Sequence, residues 1–118
     1  MKYKLLKQNV LRNNKHFQAV YRTGKSYANR MMVVYVLPQA GSGRRIGFTA
    51  GKRLGKAVVR NRVKRLMREV YRLNQARLTN EGVDLVLVGR QAMVKADLPA
   101  VTRAFLDLCG KARILLKK

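Results

Sequence analysis

Hydrophobic positions along this chain follow two periods, and the switches between them predict the elements. Phe17, Val20 and Tyr21 recur at i, i+3 and i+4, the spacing of one helix face. Asn13 or Asn14 supplies a cap ahead of them, and Gly24 the stop, where a left-handed residue costs little. Arg30–Leu37 is rich in β-branched residues, methionine and tyrosine and ends at Pro38, which predicts a strand. Beyond the loop Gln39–Gly43, a second strand, Arg45–Ala50, is expected as its hairpin partner.

The helical period returns over roughly 56–78. Val59, Val63, Leu66, Met67, Val70 and Leu73 fill one face of that helix. Arg60, Asn61, Lys64, Arg65, Arg68 and Arg72 fall on the opposite arc, with Arg62 at its margin. Glu69 is placed to pair with Arg62 or Arg65. Val83–Val88 is near-continuously apolar, with Asp84 its one polar residue, as in an inner strand buried on both faces. Asp97 and Pro99 open a last helix, along which Leu98, Val101, Phe105, Leu108, Ala112 and Leu115 recur. The order is helix, two or three strands, helix, strand, helix: an α+β sandwich on a single sheet.

Length and composition narrow the class. The 118 residues fit one domain, 1–118, and 47% hydrophobic content fits a folded chain. A single cysteine, Cys109, excludes an internal disulfide and is expected as a buried structural thiol. The longest apolar run, Met31–Leu37, is too short to span a bilayer. Lys2, Lys4 and Lys7 resemble the start of a signal peptide but no apolar region follows them, so a cytoplasmic location is expected.

Charge changes the picture most. Lys and Arg number 27 against 5 Asp and Glu, a net +22. All five acids lie at or after Glu69, so the first 68 residues carry 18 basic side chains and no carboxylate. Self-repulsion on that scale calls for a polyanion, with nucleic acid ahead of an anionic membrane. The segment 51–72 concentrates nine basic residues and one acid. Its apolar stripe would fix the helix on the core and turn the arginines outward, where their planar forks suit phosphates. Asn61 adds a donor and an acceptor for a 2′-hydroxyl or base edge.

Gly51–Lys56 opens this helix and would favour an anion, but it is no nucleotide P-loop. Gly47 and Gly51 enclose three residues instead of four, and Arg53 stands where Ser or Thr would hold Mg²⁺. Gly41, Gly43 and Gly47 also miss the dinucleotide spacing. Phe17, Tyr21 and Tyr35 either line a groove as stacking platforms or pack the core. One histidine, His16, and five scattered acids offer no acid–base pair and no metal cluster, so no catalytic or metal-binding residue is assigned.

Three stretches together resemble a known family. AVVRNRVKRLMRE (57–69) is similar to the Arg-Asn-Arg signature helix of the bacterial ribonuclease P protein subunit. RIGFTAGKRLGKAVVRNR (45–62) resembles its strand, turn and helix, and NNKHFQAVYRTGKSYANRMMVVYVL (13–37) its first helix and strand. The resemblance implies the order α-β-β-β-α-β-α, with a first short strand and a left-handed crossover through the basic helix. It also implies a cofactor of a catalytic RNA, in which the RNA, using Mg²⁺, removes the 5′ leader of precursor tRNA. Arg60, Asn61, Arg62, Lys64, Arg65 and Arg68 would contact the RNA subunit. Phe17, Tyr21, Tyr35, Lys52 and Arg53 would line the leader cleft, with Tyr21 in place of the commoner Phe and Arg53 in place of Lys. Neither a membrane nor a protein partner is implied. The alternatives are a ribosomal or chaperone-type general RNA binder, a protein-only nuclease and a structural DNA-binding protein.

Overall fold

The computed structural model describes residues 9–11 and 13–116. Lys2, Lys4 and Lys7 lie outside them. The elements run α1 (Asn14–Thr23), β1 (Lys25–Ala28), β2 (Met32–Ser42), β3 (Arg44–Ala50), α2 (Ala57–Asn74), β4 (Glu81–Gly89) and α3 (Leu98–Lys111). This is the order implied by the resemblance, including the short first strand.

The sheet order is β1-β2-β4-β3. β2 is antiparallel to both β1 and β4, and β3 runs parallel to β4. The expected hairpin between the second and third strands therefore does not form. β4, the most apolar segment, takes the slot between them, where both of its edges are paired and both of its faces covered. Only Gly43 separates β2 from β3, and the chain passes around the start of β4 there. The Gly43 N–H donates to the Asn80 carbonyl and the Gly43 carbonyl accepts from Val83 N–H. The first long strand also differs from its expected bounds, since β2 starts at Met32 and continues through Pro38.

Alternation along the strands separates two cores. Met32, Val34 and Val36 of β2 join Ile46, Phe48, Leu85 and Leu87 against α2 and α3. Tyr35 and Leu37 turn the other way with Val86 and Val88, toward Val20 of α1 and Leu11. α2 rests on Val63, Met67, Val70 and Tyr71, each nearly or fully buried. At about 1.5–3 kcal/mol per buried side chain, these four pin the helix firmly. Leu73, expected in that stripe, is exposed, whereas Tyr71 and Asn74 are buried. Asn74 is satisfied there by donating to the Val70 carbonyl at 2.8 Å. α2 is also shorter than expected, a 3₁₀ turn at Gln75–Arg77 replacing its last turn.

The caps match expectation in part. Asn13 accepts from Lys15 N–H, and Asp97 accepts from Ala100 N–H. Gly24 stops α1, though in an extended conformation, with φ −76°. Its lack of a side chain serves close approach: a Cβ there would sit 2.6 Å from the Val20 carbonyl oxygen and 2.9 Å from that of Val36. The α3 stripe runs past the helix, and Leu115 forms an isolated bridge with Leu78.

Asp84, the polar exception in β4, is buried and bonded to Arg45, its register partner on β3, by two contacts of 2.8 Å. Gln39 donates to the same carboxylate at 2.9 Å. Cys109 is fully buried, and burial pushes its thiol up to about 12. Iodoacetamide at about pH 8 is therefore expected to leave Cys109 unmodified until denaturant is added, as read by mass spectrometry. Equal labelling of native and denatured protein would contradict this packing. Among the described residues, no helix is long and apolar enough to cross a membrane.

Candidate nucleic-acid interface

Burying one stripe of α2 leaves its cationic arc outward. Asn61, Arg62, Arg65 and Arg68 are exposed, and Arg60 and Lys64 half-buried. Three of the arginines are braced by neutral groups. Arg60 Nε donates to the Gly55 carbonyl at 3.2 Å, and Arg62 to the Val94 carbonyl at 2.5 Å. The Arg68 guanidinium lies 5.3 Å from the centre of the Phe48 ring.

The carboxylates are engaged elsewhere. Asp84 holds Arg45, and Asp107 pairs with Lys111. Glu69 pairs with Arg72 at 2.7 Å, not with Arg62 or Arg65 as expected, and these hydrogen bonds hold its carboxyl below the usual glutamate range. Among the described residues, no salt bridge reaches Arg60, Arg62, Lys64, Arg65 or Arg68. Five cations on one rigid helix face stay uncompensated, which concentrates positive potential there.

The approach to this helix is equally bare. Gly55, with φ 138°, adopts a conformation that L side chains rarely take, and lets the chain turn into α2. Lys56 occupies the N-cap without a side-chain cap bond, so no carboxylate or hydroxyl closes the first turn.

The second predicted set gathers on the opposite face of the sheet. α1 covers only part of that face, leaving an aromatic trough. The Phe17 and Tyr21 rings lie 6.3 Å apart, and Tyr21 meets Tyr35 edge-on at 4.9 Å. Phe17 reaches down onto the strand because residue 47 is glycine: a Cβ there would fall 2.5 Å from the ring. All three aromatics are half-buried, so they pack on the small core and still present ring surface to solvent. Burial raises the Tyr21 phenol above its ordinary value, and the neighbouring Tyr35 adds to the shift. A hollow of about 320 Å³ opens between Phe17, Tyr21 and Thr49.

A further hollow of about 350 Å³ includes Arg53, Val88 and Arg90. Val88 packs against the aromatic cluster and is the register partner of Thr49. The structure thus brings Phe17, Tyr21 and Tyr35 into one cluster, while Arg53 lines a separate hollow with Val88. Lys52 is exposed in the same 3₁₀ turn as Arg53 but does not line either hollow. Arg90 is a residue that sequence reasoning misses. It is exposed at the end of β4 and donates to the Asn29 carbonyl at 2.9 Å. Its one signal is position, the first residue after the central apolar strand.

Among the described residues, no group of three or more His, Cys, Asp or Glu side chains converges to hold a metal ion. His16 is half-buried on α1.

An unneutralised arginine helix, rigidly seated, together with a cluster of half-exposed aromatic rings, defines an RNA-binding protein. The sequence matches the Ribonuclease P family model over residues 5–113. It is 42% identical over 109 residues to the ribonuclease P protein component of Clostridium botulinum strain Langeland, covering 92% of this chain and 98% of that one. Against the ribonuclease P protein component of Clostridium perfringens strain SM101, identity is 45% over 109 residues, covering 86% of each. The fold is similar to the RNase P protein of Staphylococcus aureus, with a TM-score of 0.81 at 27% identity, covering 92% of this chain and 98% of that one. It is also similar to that of Thermotoga maritima, at 0.77 and 28%, covering 86% and 94%. The chain belongs to the ribonuclease P protein family. That membership implies a role in tRNA 5′ processing, as part of an endoribonuclease holoenzyme that works with an RNA partner.

Proposed function

We propose that this chain grips the catalytic RNA of ribonuclease P with the outward face of α2 and holds the 5′ leader of precursor tRNA in the aromatic trough. Arg60, Asn61, Arg62, Lys64, Arg65 and Arg68 contact the RNA subunit. Phe17, Tyr21 and Tyr35 stack leader bases, while Lys52 and Arg53 meet leader phosphates. The observation that carries this reading is the set of α2 cations left without a carboxylate.

The chemistry of cleavage and the Mg²⁺ ions it uses belong to the RNA. What this chain contributes is positioning. Stacking and phosphate contacts hold a single strand with little regard to its sequence, because every base has a π-face and every nucleotide a phosphate. Leader contacts thus raise affinity for precursor over mature tRNA. The α2 cations displace counterions from the RNA and lower the ionic strength it needs to fold and bind substrate.

Tyr35→Ala tests the division of labour. The reconstituted holoenzyme is expected to bind precursor tRNA roughly tenfold more weakly and leaderless tRNA as before. Equal losses on both substrates would remove the trough from leader binding. The purified chain alone is expected to leave precursor tRNA intact, and cleavage without the RNA subunit would overturn the assignment.

A further inference from the structure

Arg62 and Arg65 also belong to a second feature. With Leu66, Glu69 and Leu98 they line a groove of about 310 Å³ between α2 and the first turn of α3. The floor is apolar: Leu66 and Leu98 are half-buried and pack against the edge of the main core. The rim is polarised along the helix axis. Arg62 and Arg65 stand at one end, and Glu69 lies one turn beyond Arg65, about 6 Å further at the helical rise.

Both ends are held in place. Arg62 donates to the Val94 carbonyl, tying α2 to the segment that leads into α3, and Glu69 is gripped by Arg72 through two bonds of 3.0 and 2.7 Å. Each keeps hydrogen-bonding capacity: a guanidinium has five N–H donors and a carboxylate about four lone-pair sites.

We propose that this groove receives one unstacked nucleobase of the RNA partner, with its phosphate on Arg62 and Arg65 and its amino- or imino-bearing edge toward Glu69. The inference rests on the RNA-binding reading of α2 and deepens it. A helix face that met phosphates alone would gain nothing from an apolar floor, whereas a base splayed from a loop or bulge buries its ring there. The order cation, apolar floor, acceptor matches a nucleotide read from phosphate to base edge. An apolar protein side chain would also fill the floor, but two arginines beside one already paired acid favour a polyanion. Base pairs in a duplex stay stacked and cannot enter, so the groove directs α2 to an unpaired site on the RNA. It thereby adds a base contact to contacts that otherwise only position.

Leu98→Trp fills the groove from the α3 side and leaves every arginine in place. The natural chain has no tryptophan, so the new indole also reports folding by fluorescence. Its Kd for the ribonuclease P RNA is expected to rise roughly tenfold, with the slope of log K against log salt unchanged. An unpaired RNA base that the natural chain protects from chemical modification should become reactive. Leu98→Ala, which strips the floor without adding bulk, should shift Kd and footprint the same way and covers the case of a misfolded tryptophan variant. Natural affinity and footprint in both variants would overturn the base site, as would a flattened salt slope with no newly reactive base. Arg62→Ala separates the causes: if it still weakens binding and flattens the slope, only the groove falls. If it too binds as the natural chain does, the RNA-binding reading of α2 falls with it.

Discussion

Alanine at both Arg65 and Arg68 is expected to weaken binding to the ribonuclease P RNA by roughly 10- to 100-fold near physiological salt. The slope of log K against log salt should fall by about two, one for each phosphate left unneutralised. Cleavage of precursor tRNA should drop steeply at limiting Mg²⁺ and recover at high Mg²⁺, because the divalent ion can replace the neutralisation that the helix supplied. The effect is large because, among the described residues, neither guanidinium has a carboxylate partner. Arg65 is exposed and lines its groove, so its removal leaves the core untouched. Arg68 gives up its place over Phe48, worth about 0.5–1 kcal/mol. Phe48 keeps its edge-on stacking with Tyr71 at 6.2 Å, so the fold should survive with a slightly lower Tm. Undiminished cleavage at low Mg²⁺ would take α2 out of the RNA interface.

Much of this arrangement is legible in the sequence, and the failures share a cause. Local signals read well: the period of Val63, Met67 and Val70, the caps at Asn13 and Asp97, and the near-continuous apolarity of Val83–Val88 all reappear in the fold. The pairing of β2 with β3 reads badly because sequence proximity favours a hairpin, while the competitor for that slot, β4, lies some forty residues downstream. Leu73 is misplaced for a related reason. Helical period alone cannot tell which flank of a stripe the sheet covers, and here the covered flank carries Tyr71 and Asn74. The aromatic cluster is readable as residues but not as a site. Its geometry depends on Gly47 beneath Phe17 and on β4 bringing Val86 between Tyr35 and Gly47, approaches between segments far apart in the chain. Charge misleads in one respect. Every arginine before residue 69 counts toward a polyanion partner, yet Arg44 and Arg45 are taken up inside the protein.

Arg44→Met is expected to lower stability by about 3–4 kcal/mol, and Tm by roughly 12–20 °C, without altering the salt dependence of RNA binding. Arg44 lies at the start of β3, and its guanidinium reaches across to the end of α2. It donates to the carbonyl of Gln75 at 2.7 Å and of Leu78 at 3.1 Å, to that of Thr79, and to the buried hydroxyl of Tyr71 at 3.2 Å. A cation at this end of a helix also complements its dipole. Methionine keeps the length and removes every donor, so several part-buried acceptors lose a charged donor together, and a bond to a charged group is worth more than a neutral one. Against a total stability of about 5–15 kcal/mol, that loss brings the chain near its threshold. The variant separates two kinds of arginine that composition cannot distinguish. Arg44 fastens the α2 rod to the sheet, whereas Arg65 is proposed to present that rod to RNA. Below its lowered Tm, the Arg44 variant should therefore bind RNA with the natural slope. A natural Tm would show that the guanidinium does not hold the helix end, and a flattened slope would show that it faces the RNA.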